Sequence, residues 1–370
     1  MKPLPALYSL VSGAVCRIKR GLYRRGVLRA KRAPIPVISV GNIILGGSEK
    51  TPLTMELLAF FQRLGRRPAL ITRGYKGTWE KKGGMLSDGR AIYGSWRDAG
   101  DEPFMAALNH PGIGIFVGRD RFSSCLMAAA AGFDVVVLDD GFQHLRLHRD
   151  LDIVLHGDSR GRARREGVSA FEHAGLLLLK KNSPSGSQGT GLGGGITHPS
   201  LMSTGEYGGS GSPGKAQCPC RRGPFRRPRS GFSAVFEYDV GVQGVLPLEG
   251  GPVSPPGHLK GHRLLAFCGI AGPERFFALL RANGLDPTAR LAFPDHFEYP
   301  ETALDRIAKA ARKAECGAFI TTEKDAVKLR GGPAERIGGP IFVLKIRLGL
   351  PEEFFAAVKQ TVDAATPERP

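Results

Sequence analysis

Residues 37–52 read Val-Ile-Ser-Val-Gly-Asn-Ile-Ile-Leu-Gly-Gly-Ser-Glu-Lys-Thr-Pro, an apolar run that passes through a glycine-rich turn into Lys50 and Thr51. Such a turn aims backbone N–H groups into a concavity and opens a helix at its positive end, an arrangement that suits phosphate. Gly46, Gly47 and Ser48 are therefore candidate phosphate-cradling residues, with Lys50 reaching the β- and γ-phosphates of a nucleotide and Thr51 holding Mg²⁺. The fingerprint G-x-x-x-x-G-K-[ST] asks for glycine just before the lysine, and Glu49 stands there instead.

From Pro34 to about Leu155 short apolar segments alternate with helical stretches: strands at 37–40, 69–71, 113–117, 135–138 and 152–155, helices at 52–64, 103–108 and 121–131. This alternation predicts a parallel sheet covered on both faces, with ligands beyond the carboxyl ends of its strands. A second block alternates in the same way, with strands at 264–267, 318–321 and 341–344 and helices at 273–283 and 302–314, and predicts a smaller α/β unit. Between them, Asn182–Ser230 is rich in Gly, Ser and Pro and cannot bury enough apolar surface to offset chain entropy. The expected organisation is a basic helix at 1–32, a nucleotide-binding domain at 33–181, a disordered linker or insertion at 182–231 and a smaller C-terminal domain at 232–370.

The net charge of +18 is unevenly placed, since residues 1–32 hold nine Lys/Arg and no acid. Apolar residues from Leu4 to Tyr23 recur there at helical spacing, with the basic residues crowded towards the end of the segment. That pattern reads as an interfacial helix on an anionic leaflet, where each basic residue near the surface contributes about 1 kcal/mol. A basic helix packed on the domain, or touching nucleic acid, is the alternative reading. No apolar run approaches the roughly 20 residues that span a bilayer, and no signal-peptide cleavage pattern follows. The six cysteines are scattered, without metal-ligand spacing or a disulfide framework, as suits a reducing cytosol.

Beyond the glycine turn, the apolar run 133–138 ends in Asp139-Asp140, the way a buried strand presents carboxylate to nucleotide-bound Mg²⁺. Adjacent acids on a strand point different ways, so one faces metal and the other a water or Lys50. Glu102 joins Thr51, Asp139 and Asp140 as a metal-side candidate. Asp101, in Gly100-Asp-Glu-Pro103, and His296, in Phe293-Pro-Asp-His296, form a candidate base pair, because a hydroxyl attacking phosphorus needs a proton acceptor within hydrogen-bond reach. Asp101 as a helix-dipole charge and His296 as an ordinary loop histidine are equally open. Arg73, Arg119 and Arg121 stand at strand ends, where guanidinium forks match phosphate oxygens.

In this order the motifs resemble the lipid A 4′-kinase family (tetraacyldisaccharide 4′-kinases). The resemblance runs through the basic N-terminal helix, Pro36-Val-Ile-Ser-Val-Gly-Asn42 with Gly-Gly-x-x-Lys-Thr-Pro, Arg73-Gly-Tyr75, Gly100-Asp-Glu-Pro103 and Leu138-Asp-Asp-Gly-Phe-Gln-His144. It continues through Cys268-Gly-Ile-Ala-Gly-Pro-Glu-Arg-Phe-Phe277, Phe293-Pro-Asp-His296 and Thr321-Thr-Glu-Lys-Asp-Ala-Val-Lys328. It implies a P-loop NTPase-like α/β fold and a peripheral enzyme at the cytoplasmic face of the bacterial inner membrane. The implied reaction moves the ATP γ-phosphate to the 4′-hydroxyl of a tetraacyldisaccharide 1-phosphate. By the same resemblance Lys50 and Thr51 bind ATP phosphates and Mg²⁺, Asp139 and Asp140 serve the metal and the P-loop, and Asp101, assisted by His296, deprotonates the sugar hydroxyl. Arg73, Arg119 and Arg121 are then candidates for the lipid 1-phosphate, and neither nucleic acid nor an obligate protein partner is expected.

Three features depart from the family pattern: Glu49, a shortened stretch at His156–Glu166, and the segment 182–230. A carboxylate turned towards the triphosphate would oppose binding by roughly 4 kcal/mol per charge pair in a partly buried site. One alternative is therefore a catalytically impaired member that binds only membrane or glycolipid. A basic NTPase acting on nucleic acid is a second alternative, and it predicts salt-sensitive binding to DNA or RNA.

Overall fold

The computed structural model describes residues 4–43, 49–157, 168–181 and 234–366. Gly46, Gly47 and Ser48, most of the stretch at 156–166 and the segment 182–231 lie outside the described residues. The chain begins with helix α1 (Leu4–Arg24) and enters a parallel sheet at β1 (Val37–Asn42). Then come α2 (Lys50–Arg63), β2 (Pro68–Thr72), α3 (Trp79–Lys82), β3 (Gly84–Asp88), α4 (Trp96–Ala99), α5 (Asp101–Asn109) and β4 (Gly114–Val117). Helix α6 (Arg121–Ala130), β5 (Val135–Asp139), β6 (Leu151–His156) and β7 (Leu176–Lys180) complete the first block.

All residues of β1, β2, β4 and β5 are buried, as expected of strands sandwiched between helices. Strand β5 lies between β1 and β2, so the chain crosses over β5 when it leaves β1 through α2. That crossover brings the ends of β1 and β5 together, with Val40 paired to Asp139. Helix α2 holds its place by Leu53, Leu57, Leu58 and Phe61, which form one fully buried stripe. Burying such side chains stabilises by about 1.5–3 kcal/mol each.

The second block runs through β8 (Ala234–Pro247), β9 (Leu264–Cys268), α7 (Pro273–Ala282), β10 (Ala289–Ala292), α8 (Glu301–Lys313), β11 (Ala318–Thr322), α9 (Glu323–Leu329), β12 (Ile341–Gly349) and α10 (Glu352–Ala365). The 14-residue β8 joins the two blocks: 234–238 pair parallel with β7, and 239–247 pair antiparallel with β12. Both blocks thus share one twelve-stranded sheet, ordered β10-β9-β11-β12-β8-β7-β6-β1-β5-β2-β4-β3. Helix α10 returns to the first block, where Phe354, Val358 and Val362 enter the core that holds β1 and α2. A separate core under α8 gathers Leu304, Ile307 and Ala311 with Phe267 and Phe319.

Helix α1 is anchored close to the end of β5. Arg20 donates to the Phe142 carbonyl at 3.3 Å and its guanidinium lies 4.4 Å from the Phe142 ring centroid. On the same segment Val15, Ile18, Val27 and Leu28 remain exposed. Among the described residues no helix is long and apolar enough to cross a membrane.

Candidate active site

Three chain segments converge where β1 and β5 end. Helix α2 starts at Lys50, whose ammonium sits 3.2 Å from Asp140 Oδ1 and 3.4 Å from Asn42 Oδ1. Thr51 donates through Oγ1 to Asp139 Oδ2 at 3.4 Å. Asp140 has φ 54°, a left-handed bend that turns the two adjacent acids apart, Asp139 to Thr51 and Asp140 to Lys50. Glycines allow the close approach: a Cβ on Gly41 would stand inside the Phe142 side chain, and one on Gly141 would meet Leu138 Cβ at 2.7 Å. The Gly141 N–H donates to Val40 O at 3.0 Å, and Gln143 donates to Asn42 O at 2.9 Å.

Asp139 is buried, and burial together with the Glu102 charge pushes its carboxyl up to about 7, with Lys50 opposing. Its Oδ1 is buried without a hydrogen-bond partner. An orphaned carboxylate oxygen beside a threonine hydroxyl fits Mg²⁺, which takes one or two carboxylates and completes its shell with phosphates and water. Among the described residues no three Asp, Glu, His or Cys side chains converge on one point. Asp140 faces Lys50 and Glu102 faces Lys324, at 3.2 Å each, so neither closes a cage around Asp139.

Asp101 and His296, 195 residues apart, do meet. His296 Nδ1 lies 3.1 and 3.0 Å from the two Asp101 oxygens, and Tyr75 packs edge-on against the imidazole. Lys324 Nζ is 3.1 Å from His296 Nε2. Because an ammonium only donates, Nε2 accepts and the Nδ1 proton faces Asp101. Lys328, with a side chain only 1% exposed, lies 3.0 Å from Asp101 Oδ2. Burial alone would raise the Asp101 pKa, but the His296 hydrogen bond and the Lys324 and Lys328 charges hold it well below the usual carboxylate range. Burial likewise works against the Lys324 charge, and Glu102, Asp101 and Asp295 reverse it, raising that pKa above the usual lysine range.

The loop carrying His296 is fastened from behind. His296 has φ 63°, and its N–H donates to Gly269 O at 3.2 Å. Asp325, fully buried, accepts from the Gly269 N–H at 3.0 Å and from Thr322 Oγ1 at 2.6 Å. The run Thr321–Lys328 therefore supplies both the neutralising lysines and the fastening aspartate. The i,i+4 spacing of Lys324 and Lys328, which sets both on one helix face, is the signal that was available.

The three arginines do not act as one group. Arg73 is half exposed and paired with Glu80 at 2.6 Å, and the Arg119 N–H donates to the Glu80 carbonyl. Arg121 is buried and donates to Gly118 O. Burial pushes its pKa down to about 10 against the pull of Asp140 and Asp139, so Arg121 belongs to the electrostatics of the acid pair.

Glu49 does not turn its charge loose on the site. Its carboxylate lies 2.9 Å from Lys180 and 3.6 Å from Arg275. The alternative of an impaired enzyme rests on Glu49 and the shortened stretch at His156–Glu166; the stretch lies mostly outside the described residues, and the paired Glu49 carboxylate does not support impairment.

The LpxK family model, described as tetraacyldisaccharide-1-P 4′-kinase, matches residues 1–185 and 241–363. A tetraacyldisaccharide 4′-kinase from Pelobacter propionicus is 36% identical over 331 residues, covering 89% of this chain and 82% of its own. The enzyme of the same name from Geobacter metallireducens is 36% identical over 348 residues, covering 94% of each. A crystal structure of LpxK from Aquifex aeolicus in complex with ATP superposes with a TM-score of 0.69 at 25% identity, over 97% of this chain and 98% of that one. The chain belongs to the tetraacyldisaccharide 1-phosphate 4′-kinase family.

Proposed function

We propose that this chain transfers the γ-phosphate of ATP to the 4′-hydroxyl of a tetraacylated disaccharide 1-phosphate, with Asp101 accepting the hydroxyl proton. The observation that carries the assignment is the Asp101–His296 pair at 3.0 Å, backed by Lys324 and Lys328. The His296 hydrogen bond and the Lys324 and Lys328 charges favour the ionised form of Asp101, which suits it as an acceptor. Its low basicity suits the reaction, because phosphoryl transfer passes through a loose transition state and needs positioning more than proton abstraction.

On the nucleotide side, Lys50 neutralises charge on the β/γ-phosphates, and the first-turn amides of α2 face the same anion, since the Glu49 side chain makes no cap bond to them. Thr51 and Asp139 would hold Mg²⁺, which supplies charge neutralisation to the phosphate oxygens when bound. Arg121 balances Asp139 and Asp140. Phosphorylation of the disaccharide 1-phosphate by ATP in detergent micelles tests this reading, and a chain that binds ATP but leaves that lipid unphosphorylated would refute it.

The lipid substrate calls for a membrane surface, and α1 supports that placement at the cytoplasmic face of the inner membrane. Exposed Val15 and Ile18 lie among exposed Arg17, Lys19 and Arg24, while Arg20 ties the helix to the turn after Asp140. Replacing Arg17, Lys19, Arg24 and Arg25 by Gln is expected to weaken binding to anionic vesicles by at least about tenfold at low salt. Flotation that is unchanged by these substitutions would count against the helix as the membrane contact.

A further inference from the structure

We propose that Glu49 is a positioning residue for the nucleotide phosphates, fastening the turn that carries Lys50 and Thr51 to Lys180 and Arg275. The inference rests on the ATP-site reading above and concerns the one residue that breaks the glycine-lysine fingerprint. Glu49 has φ −92° and ψ 1°, a conformation open to any L-residue, so the backbone makes no demand for glycine here. Its carbonyl accepts the Leu53 N–H at 3.2 Å and so belongs to the first turn of α2.

The carboxylate is 12% exposed and reaches two cations from distant parts of the chain. Lys180 closes β7, and Arg275 lies in the first turn of α7 in the second block. The pairing therefore ties the start of α2 to both halves of the sheet at once. Without the carboxylate, the like charges of Lys180 and Arg275 lose their common partner and the turn loses its tether to α7.

This inverts the expectation from the motif alone: restoring the fingerprint glycine should harm the enzyme. Titration of the full chain with a fluorescent ATP analogue and Mg²⁺ is the test. Glu49→Gly and Glu49→Gln are expected to raise the Kd by on the order of tenfold, as losing one member of a partly buried ion pair does. Glu49→Asp is expected to stay within about threefold of the parent, and kcat at saturating ATP to change less than about threefold, because the reacting groups remain. Arg275→Gln alone should weaken binding, yet add nothing in the Glu49→Gly background, since both remove the same contact. Arg275 lies on a partly exposed helix face, so its variant decides the matter if Glu49→Gly fails to fold. Binding by Glu49→Gly or Arg275→Gln as tight as the parent's overturns the inference and leaves the kinase reading intact. A parent chain that binds no ATP overturns both.

Discussion

Replacing Asp101 by Asn is expected to lower kcat by about 100- to 10,000-fold, the range that a positioned proton acceptor contributes. The amide keeps the shape of the carboxylate, and its oxygen can still accept from His296 Nδ1, so the loop at 293–296 stays where it is. The negative charge is lost, and with it the counter-ion of Lys328, whose ammonium is buried 3.0 Å away. Leaving that buried charge without its partner costs about 3–5 kcal/mol of stability, visible as a lower melting temperature. The ATP side is a separate constellation, so the KM for ATP is expected to stay within about twofold. A drop in kcat below tenfold would assign the proton to another acceptor. A large rise in the KM for ATP would mean that Asp101 acts by organising the site as a whole.

Lys50→Met is expected to lower kcat/KM for ATP by at least about 100- to 1,000-fold, the cost of removing one fixed charge from the place where transition-state charge develops. Lys50 stands between Asp140 Oδ1 and Asn42 Oδ1, and with Arg121 it opposes protonation of Asp139, Lys50 the more strongly. Its loss therefore acts twice: the phosphates lose a ligand, and the acid pair loses the charge that keeps Asp139 ready for a metal ion. Steady-state rates with varied ATP, together with Mg²⁺ dependence, separate the two, because a weakened metal site raises the Mg²⁺ requirement. A loss of less than about fivefold would show that the backbone amides of the turn carry the phosphate contact alone.

The two variants probe the two sides of one reaction centre, and they differ in how visible they were beforehand. Lys50 and Thr51 announce themselves through a local pattern, because a phosphate cradle needs consecutive backbone amides and one helix start. Asp139 and Asp140 are legible for a similar reason, as a buried strand that ends in acid. Asp101 and His296 were paired on chemical grounds, yet nothing local demanded that residues 195 apart should touch. Nothing in the sequence marks Lys328 as buried, and its 1% exposure arises where α9 packs against α5. Sequence spacing placed it on a helix face but could not say what that face covers.

Strand β8 shows the same limit at the scale of the fold. It follows the Gly/Ser/Pro-rich segment and carries Gly241 and Gly244, so it lacks the continuous apolar run that marks β5. Its two halves face different partners, parallel β7 and antiparallel β12, and a strand shared in this way has no single periodic signature.

The sequence by itself determined the alternating α/β pattern, the lysine that opens α2, the acids at the end of a buried strand, and the basic helical start. These are local consequences of periodicity and of residues that must be consecutive to work. Tertiary structure alone decided that the two blocks share one sheet, that Lys324 and Lys328 flank the Asp101–His296 pair, and that Glu49 meets Lys180 and Arg275. Those outcomes depend on which distant groups the sheet order brings within a few ångströms, and Coulomb energies change from negligible to decisive over that range.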